Sequence, residues 1–182
     1  MMEFVPNTSK VEIIDFRPHM IECGFDYYML AEKSSHQRIE IQCVMSALAI
    51  EVILKSFNAQ VVGNLGQINE TYKFDRSSLP KKADPHDLVT LTEALTPSVC
   101  TYLFDKSDLK VIEKNRSIFK SSRYVYEQTA NTIHFDDIIK LAAKTLCKVI
   151  YLYKKRGCKD PFILHAKVNE LYFDSVQQFI LP

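Results

Sequence analysis

Glycine and proline are scarce: 4 and 7 residues in a chain of 182. That excludes a collagen-like or low-complexity chain and argues against a loop-rich β-sandwich. Long hydrophobic runs are also missing. The unbroken apolar stretches are a few residues each, far short of the ~20 needed to span a bilayer, so no membrane segment is expected. Met1-Met2-Glu3-Phe4-Val5-Pro6 has no basic start followed by an apolar run, so no secretory signal is expected. Charge of one sign is lacking too. The formal net charge is +1, which gives no bulk-electrostatic drive toward nucleic acid.

Cysteine spacing excludes the usual frameworks. Cys23, Cys43, Cys100, Cys147 and Cys158 are odd in number and contain no C-x-x-C pair. Three of them, Cys23, Cys43 and Cys147, fall in apolar-periodic segments, where free cysteine acts as a small hydrophobe. A reducing, cytoplasmic setting fits better than disulfides. The histidines His19, His36, His86, His134 and His165 are scattered, with no structural-zinc spacing, so neither a metal nor another cofactor is expected.

The composition that is present suits a folded domain: 47% hydrophobic and 25% charged residues. A chain of this length is read as one domain over 1–182, with a helical core at 20–156 and a helical tail at 160–182. The fold class is all-α: an up-and-down bundle of four to five helices with a small β-hairpin or loop insertion. Val11–Phe16 reads as a short strand or a docking arm. Ile21, Phe25, Tyr28 and Met29 give an amphipathic helix over Met20–Ser35. Arg38–Phe57 is apolar nearly all round: Ile41, Met45, Leu48 and Val52 form one stripe, and Val44, Ala47, Ile50 and Leu54 cover other sides. Such a helix is central and buried.

Residues 60–80 hold Gly63, Gly66 and the alternating Thr71-Tyr72-Lys73-Phe74, the signature of a small hairpin or ordered insertion. Asp84 as N-cap, Pro85 as first residue and Asp87 as the N3 acid predict a helix carrying Leu88, Leu91 and Leu95, stopped at Thr96-Pro97. Ser107 is a candidate cap for a helix with Leu109, Ile112 and Phe119. From Phe135 to Arg156, Ile138, Ala142, Leu146, Val149 and Tyr153 mark a long amphipathic helix with Gly157 as its C′ residue. Asp160-Pro161 starts a shorter helix through Leu164, Val168, Leu171 and Phe173.

Three stretches taken in order resemble a known family. They are Ser46-Ala-Leu-Ala-Ile-Glu51-Val-Ile-Leu-Lys55-Ser56, His86-Asp87-Leu88 with Leu91, and Phe119-x-x-x-Arg123-Tyr124-x-Tyr126-Glu127. Their order is similar to that of the HEPN domain (higher eukaryotes and prokaryotes nucleotide-binding), whose fold is an up-and-down helical bundle. The resemblance spans roughly Met20 to Tyr153. It implies nucleotide or polyanion binding. It does not carry over ribonuclease activity, because no Arg here is followed by His after four to six residues; Arg116 and Arg123 precede only the more distant His134.

Each candidate site residue admits two readings. Glu51 and Lys55, one turn apart on a buried helix, are either an ion pair that fixes packing or part of a polar pocket beside Arg123. Arg123 offers a planar fork to Glu51 or to a phosphate, and Tyr124 packs in the core or lines the site. His86 is a cap-region residue or an anion-contacting, proton-transferring one. Lys140, Lys144 and Lys148 recur every four residues opposite the apolar face, continued by Tyr151 and Lys155, with seven Lys or Arg and no acid from Ile138 to Lys159. This basic stripe is either a solvated helix face, neutral to replace by Gln, or a phosphate track.

The expected function is therefore binding of nucleotide or RNA phosphates by a homodimer. The dimer is inferred from the apolar tail, Phe162 to Leu181, which needs either its own bundle or a second chain. The rivals are a helical dimerisation or adaptor module for a nucleotidyltransferase-type partner, and a divergent ribonuclease using Arg123 or His86.

Overall fold

The computed structural model describes residues 2–33, 38–121 and 136–176. The protein is mostly helical, with one small antiparallel sheet. In chain order the elements are α1 (Pro18–Lys33), α2 (Ile39–Ser56), β1 (Ala59–Gly63), β2 (Thr71–Phe74), a 3-10 turn (Arg76–Ser78), α3 (Leu88–Glu93), α4 (Pro97–Leu103), α5 (Lys106–Lys114), α6 (Ile118–Ser121), α7 (Asp137–Lys155), α8 (Pro161–His165) and α9 (Val168–Ser175).

Helices α1, α2 and α7 pack against one another and carry most of the core. The face of α2 turned inward holds Cys43, Ser46, Ala47, Ala49, Ile50 and Ile53. Small residues on that face let α1 come close. At Gly24 of α1 an added Cβ would lie 3.0 Å from Ile53 Cγ1 and 3.3 Å from the Ala49 carbonyl oxygen. The expectation that α2 is buried all round needs correction. Its other apolar stripe is only partly covered: Val44, Met45, Leu48 and Val52 are half-buried and Ile41 is 40% exposed.

Helix α7 follows its sequence pattern, burying Ile138, Ala142, Leu146, Val149, Ile150 and Tyr153. Its end is a Schellman motif. The Cys158 N–H donates to the Tyr153 carbonyl at 3.0 Å and the Gly157 N–H to Lys154 at 3.1 Å, with Gly157 at φ +84°. The hairpin is also where expected, pairing Ala59 with Phe74 and Gln60 with Lys73, with a bulge between Val61 and Gly63.

Helix starts differ from the sequence expectation. Asp84 does not cap a helix; it accepts from the His86 N–H at 2.9 Å and closes a turn. Asp87 is the N-cap of α3, accepting from Val89 N–H at 2.9 Å and Thr90 N–H at 3.4 Å. His86 therefore stands on a turn and not in a helix. Pro97 does not merely stop α3. It opens α4, where its missing N–H costs nothing. Asp105, with Asp108 closing a capping box, starts α5 in place of Ser107. That helix ends at Asn115, so Phe119 belongs to α6. The single helix expected after Asp160 is two, α8 and α9.

Residues 2–17 form no strand and act as a docking arm. Arg156 donates to the carbonyls of Thr8 and Val11, and Phe4 stacks on Tyr172 with ring centres 4.1 Å apart. The apolar tail is used in part on its own chain: Ile163 and Val168 are buried, and Leu171 and Val176 pack on the core.

The α1–α2 contact gives a direct test. Gly24→Val would push branched methyl groups into Ile53 and the α2 backbone, so a loss of about 1–3 kcal/mol is expected by urea unfolding. A variant as stable as the parent would show that the two helices can slide apart without cost.

Candidate ligand cleft

Glu51 is the charged residue that α2 buries, at 4% exposure. Burying an ion is costly unless it is paired and hydrogen-bonded. One oxygen meets that need. Oε1 accepts from Lys55 Nζ at 2.6 Å, one helical turn on, and lies 3.0 Å from His86 Nδ1. A carboxylate only accepts, so the Nδ1 of His86 carries the hydrogen; in the neutral ring Nε2 is then an acceptor. The other oxygen, Oε2, is buried with no hydrogen-bond partner among the described residues. Lys55 also lies 5.5 Å from the Phe74 ring centre, which ties the hairpin to the pair.

Glu51 lines a cleft of about 570 Å³. Val44 and Leu48 from α2 and Phe119 from α6 give it apolar walls. Asp84, His86, Asp87, Arg116 and Ser117 supply the polar remainder. His86 is half-exposed and meets the Phe119 ring edge-on, with ring centres 6.3 Å apart. Arg116 bridges two acids, donating to Asp87 at 2.8 Å and Glu113 at 3.1 Å. Asp87 thus caps α3 and also holds Arg116.

Of the expected site residues, the fold brings Glu51, Lys55 and His86 together. Arg123 and Tyr124 lie outside the described residues. Arg116 and Phe119 join the cleft although neither was among the expected site residues. The signal was Asn115, whose side-chain amide caps the α5 end by donating to the Val111 carbonyl at 2.8 Å, so Phe119 leaves the α5 face.

The basic stripe is not the free row that its spacing suggests. Lys140 pairs with Asp136 at 3.1 Å on the surface. Lys144 is 20% exposed and donates to Asp105 at 2.8 Å and Asp108 at 2.7 Å, the two acids of the α5 capping box. The Lys144 bond, with help from Ser107, holds the Asp105 carboxyl well below the usual range. Burial works to lower the Lys144 pKa, but its bonds to Asp105 and Asp108 outweigh it and the net shift is upward. Lys148 donates to the Leu103 carbonyl at 2.8 Å, and burial lowers its pKa. Lys155 lies 5.9 Å from the Tyr151 ring centre. The acids missing from α7 come from another element, so two of the four lysines have structural work.

Among the described residues no three His, Cys, Asp or Glu side chains are grouped as metal ligands, and no helix is long and apolar enough to cross a membrane. Fold and cleft together define a helical protein with a ligand-sized recess beside a buried Glu51 held by Lys55 and the exposed His86. Comparison with family models, curated proteins and solved structures finds no match to this chain.

Gln in place of Lys144 is therefore not neutral, contrary to the expectation for a solvated face. Lys144→Gln leaves Asp108, 7% exposed, without its cation, and a loss of about 1–3 kcal/mol is expected in urea unfolding at pH 7. The Asp105 carboxyl is held down in the folded state, so its contribution is present above its unfolded pKa of about 3.9 and fades as pH falls below it. The gap between parent and variant should then shrink below about pH 4. An unchanged gap at pH 3 would separate the effect from these carboxylates.

Proposed function

We propose that this protein is a HEPN-like helical domain that binds a nucleotide, free or in RNA, in the cleft at Glu51, without the family's Arg–His ribonuclease pair. The observation that carries this reading is the buried Glu51 carboxylate, bonded to Lys55 and His86, on the wall of a ligand-sized recess. An ion pair kept for packing alone needs only Lys55; here the carboxylate also receives His86 from a separate turn, and all but Lys55 line the recess. Small-molecule sites are mostly apolar recesses of about 300–1,000 Å³ with a few placed polar groups. Val44, Leu48 and Phe119 offer flat apolar contact for a base, while His86 and Arg116 stand where a phosphate could reach them.

The three-way packing of α1, α2 and α7 supports the up-and-down bundle that the resemblance implies. Binding does not draw on Lys144 or Lys148, which are engaged within the fold. A second reading rests on the outer stripe of α2, with Ile41 exposed and Met45 and Val52 half-buried. That apolar face suits a homodimer contact, or an adaptor contact with a nucleotidyltransferase-type partner.

Calorimetric titration with nucleoside monophosphates and a short single-stranded RNA tests the first reading. Phe119→Ala should weaken binding by about 1–3 kcal/mol, the scale of one base–aromatic contact. His86→Ala should weaken it as well. Unchanged binding in both variants would move the ligand out of this cleft; no binding by the parent would leave the dimer or adaptor reading in place.

A further inference from the structure

The Nε2 of His86 sits on the cleft wall with nothing bound to it among the described residues. The ring is anchored through Nδ1, 3.0 Å from Oε1 of the buried Glu51, while 58% of the side chain stays exposed. The two ring nitrogens point in diverging directions, so a ring tied inward through one presents the other outward. Charge about this ring is unbalanced. Glu51 on α2 and Asp84 and Asp87 on the ring's own turn are acids. The cations are Lys55 on α2, bonded to Glu51, and Arg116 ahead of α6, already shared between Asp87 and Glu113. Phe119 of α6 faces the ring without a charge. A phosphate that enters beside a neutral His86 meets an acceptor at Nε2 and a surplus of negative charge. One proton on the ring removes both obstacles. Nε2 becomes a donor, a positive charge is added, and the Glu51 carboxylate stabilises the imidazolium from the Nδ1 side.

We infer that His86 is the phosphate-contacting group of the cleft, that it acts as an imidazolium held between Glu51 and a phosphate oxygen, and that binding a phosphate draws one proton from solvent onto the ring. This inference rests on the nucleotide reading above and assigns the two ends of the ligand. The phosphate lies at the exposed rim by His86, where hydrogen bonds between charged partners are the strong ones. The base lies against Val44, Leu48 and Phe119, whose apolar surfaces suit the face of a ring. Glu51 touches no ligand in this arrangement. It is a positioning residue that fixes the ring and holds its charge, while Lys55 stays on the same carboxylate oxygen. A ligand that binds the protonated form better must raise the proton affinity of the ring in return. Its own affinity therefore falls as pH rises through the range in which imidazole loses its proton.

The test is calorimetric titration of the unmodified protein with the dinucleoside monophosphate of adenosine, whose phosphodiester keeps a single charge throughout. At about pH 8, where imidazole is ordinarily neutral, titrations in buffers of different ionisation enthalpy should show about one proton taken up per ligand bound. Affinity should rise by up to about tenfold from about pH 8 to about pH 7, the limit for one linked proton. Adenosine, which lacks the phosphate, should take up none. His86→Gln can still donate to Glu51 or to a phosphate but cannot titrate, so it should bind without proton uptake and with one affinity at both pH values. Glu51→Gln keeps an acceptor for Nδ1 but removes the charge behind the imidazolium, so it should move the rise in affinity to lower pH. Binding of the dinucleotide by the unmodified protein without proton uptake overturns the inference and leaves the nucleotide reading standing. Equal uptake with adenosine, or uptake that survives His86→Gln, does the same. No binding at any pH tried overturns both. Should either variant fail to fold, as judged by circular dichroism, the two titrations of the unmodified protein decide the question.

Discussion

The shared hydrogen bonding of the Glu51 carboxylate is the constraint around which the rest is arranged. A helix that packs Ile50, Ile53 and Leu54 into the core also buries a charge at the adjoining position. The desolvation cost is several kcal/mol and must be met locally. Lys55 meets part of it from the same helix, at the i,i+4 spacing that brings side chains together. His86 meets another part from 35 residues away. That second bond requires the 84–87 segment to be a turn, because a helix begun at Asp84 would direct His86 differently. The Asp84 side chain closes that turn on the His86 N–H, and Asp87 starts α3 one residue later. The position of α3 against α2 is thus coupled to one carboxylate.

The same economy of acids recurs at the other helix starts. Asp87 satisfies two orphan N–H groups of α3 and also anchors Arg116. Asp105 and Asp108 close the α5 capping box and also bind Lys144 of α7. An N-cap carboxylate is already favoured by the N-terminal dipole of its helix, and a cation from a neighbouring element adds to that without burying a new charge. Short helices gain little from propensity alone, since nucleation is costly. These shared acids give α3 and α5, of six and nine residues, tertiary anchors that their length could not supply.

The parts of the fold legible in the sequence are those set by local periodicity. Helices α1, α2 and α7 lie within two or three residues of their expected bounds, the hairpin falls inside 60–80 but for Ala59, and Gly157 ends α7 as anticipated. What was not legible depends on choices between chemically equal neighbours or on distant partners. Asp84 and Asp87 are both competent caps, and only the pull of Glu51 on His86 distinguishes them. The lysine stripe reads as single-signed along α7 because the two acids that bind Lys144 stand 36 and 39 residues away in sequence. Of the site, Glu51, Lys55 and His86 could be named in advance because a charge in an apolar helix demands partners. Phe119 could not, since its place depends on α5 ending at Asn115.

Burial of Glu51, whose Oε2 has no partner among the described residues, bears on how the cleft stays open. Close packing normally removes recesses of this size, and a recess lined solely by apolar groups would tend to shrink as its walls relax inward. Here the walls are held from outside the recess. Val44 and Leu48 are fixed by α2, whose position is set by the contact of Gly24 with Ile53. Arg116, at the other side, is held by Asp87 and Glu113. Collapse would press Phe119 toward Glu51 and set a buried carboxylate against an aromatic ring, exchanging a small gain in apolar contact for an electrostatic penalty. The buried carboxylate therefore draws His86 onto the cleft wall, and the wall keeps its place because its contacts lie elsewhere in the fold.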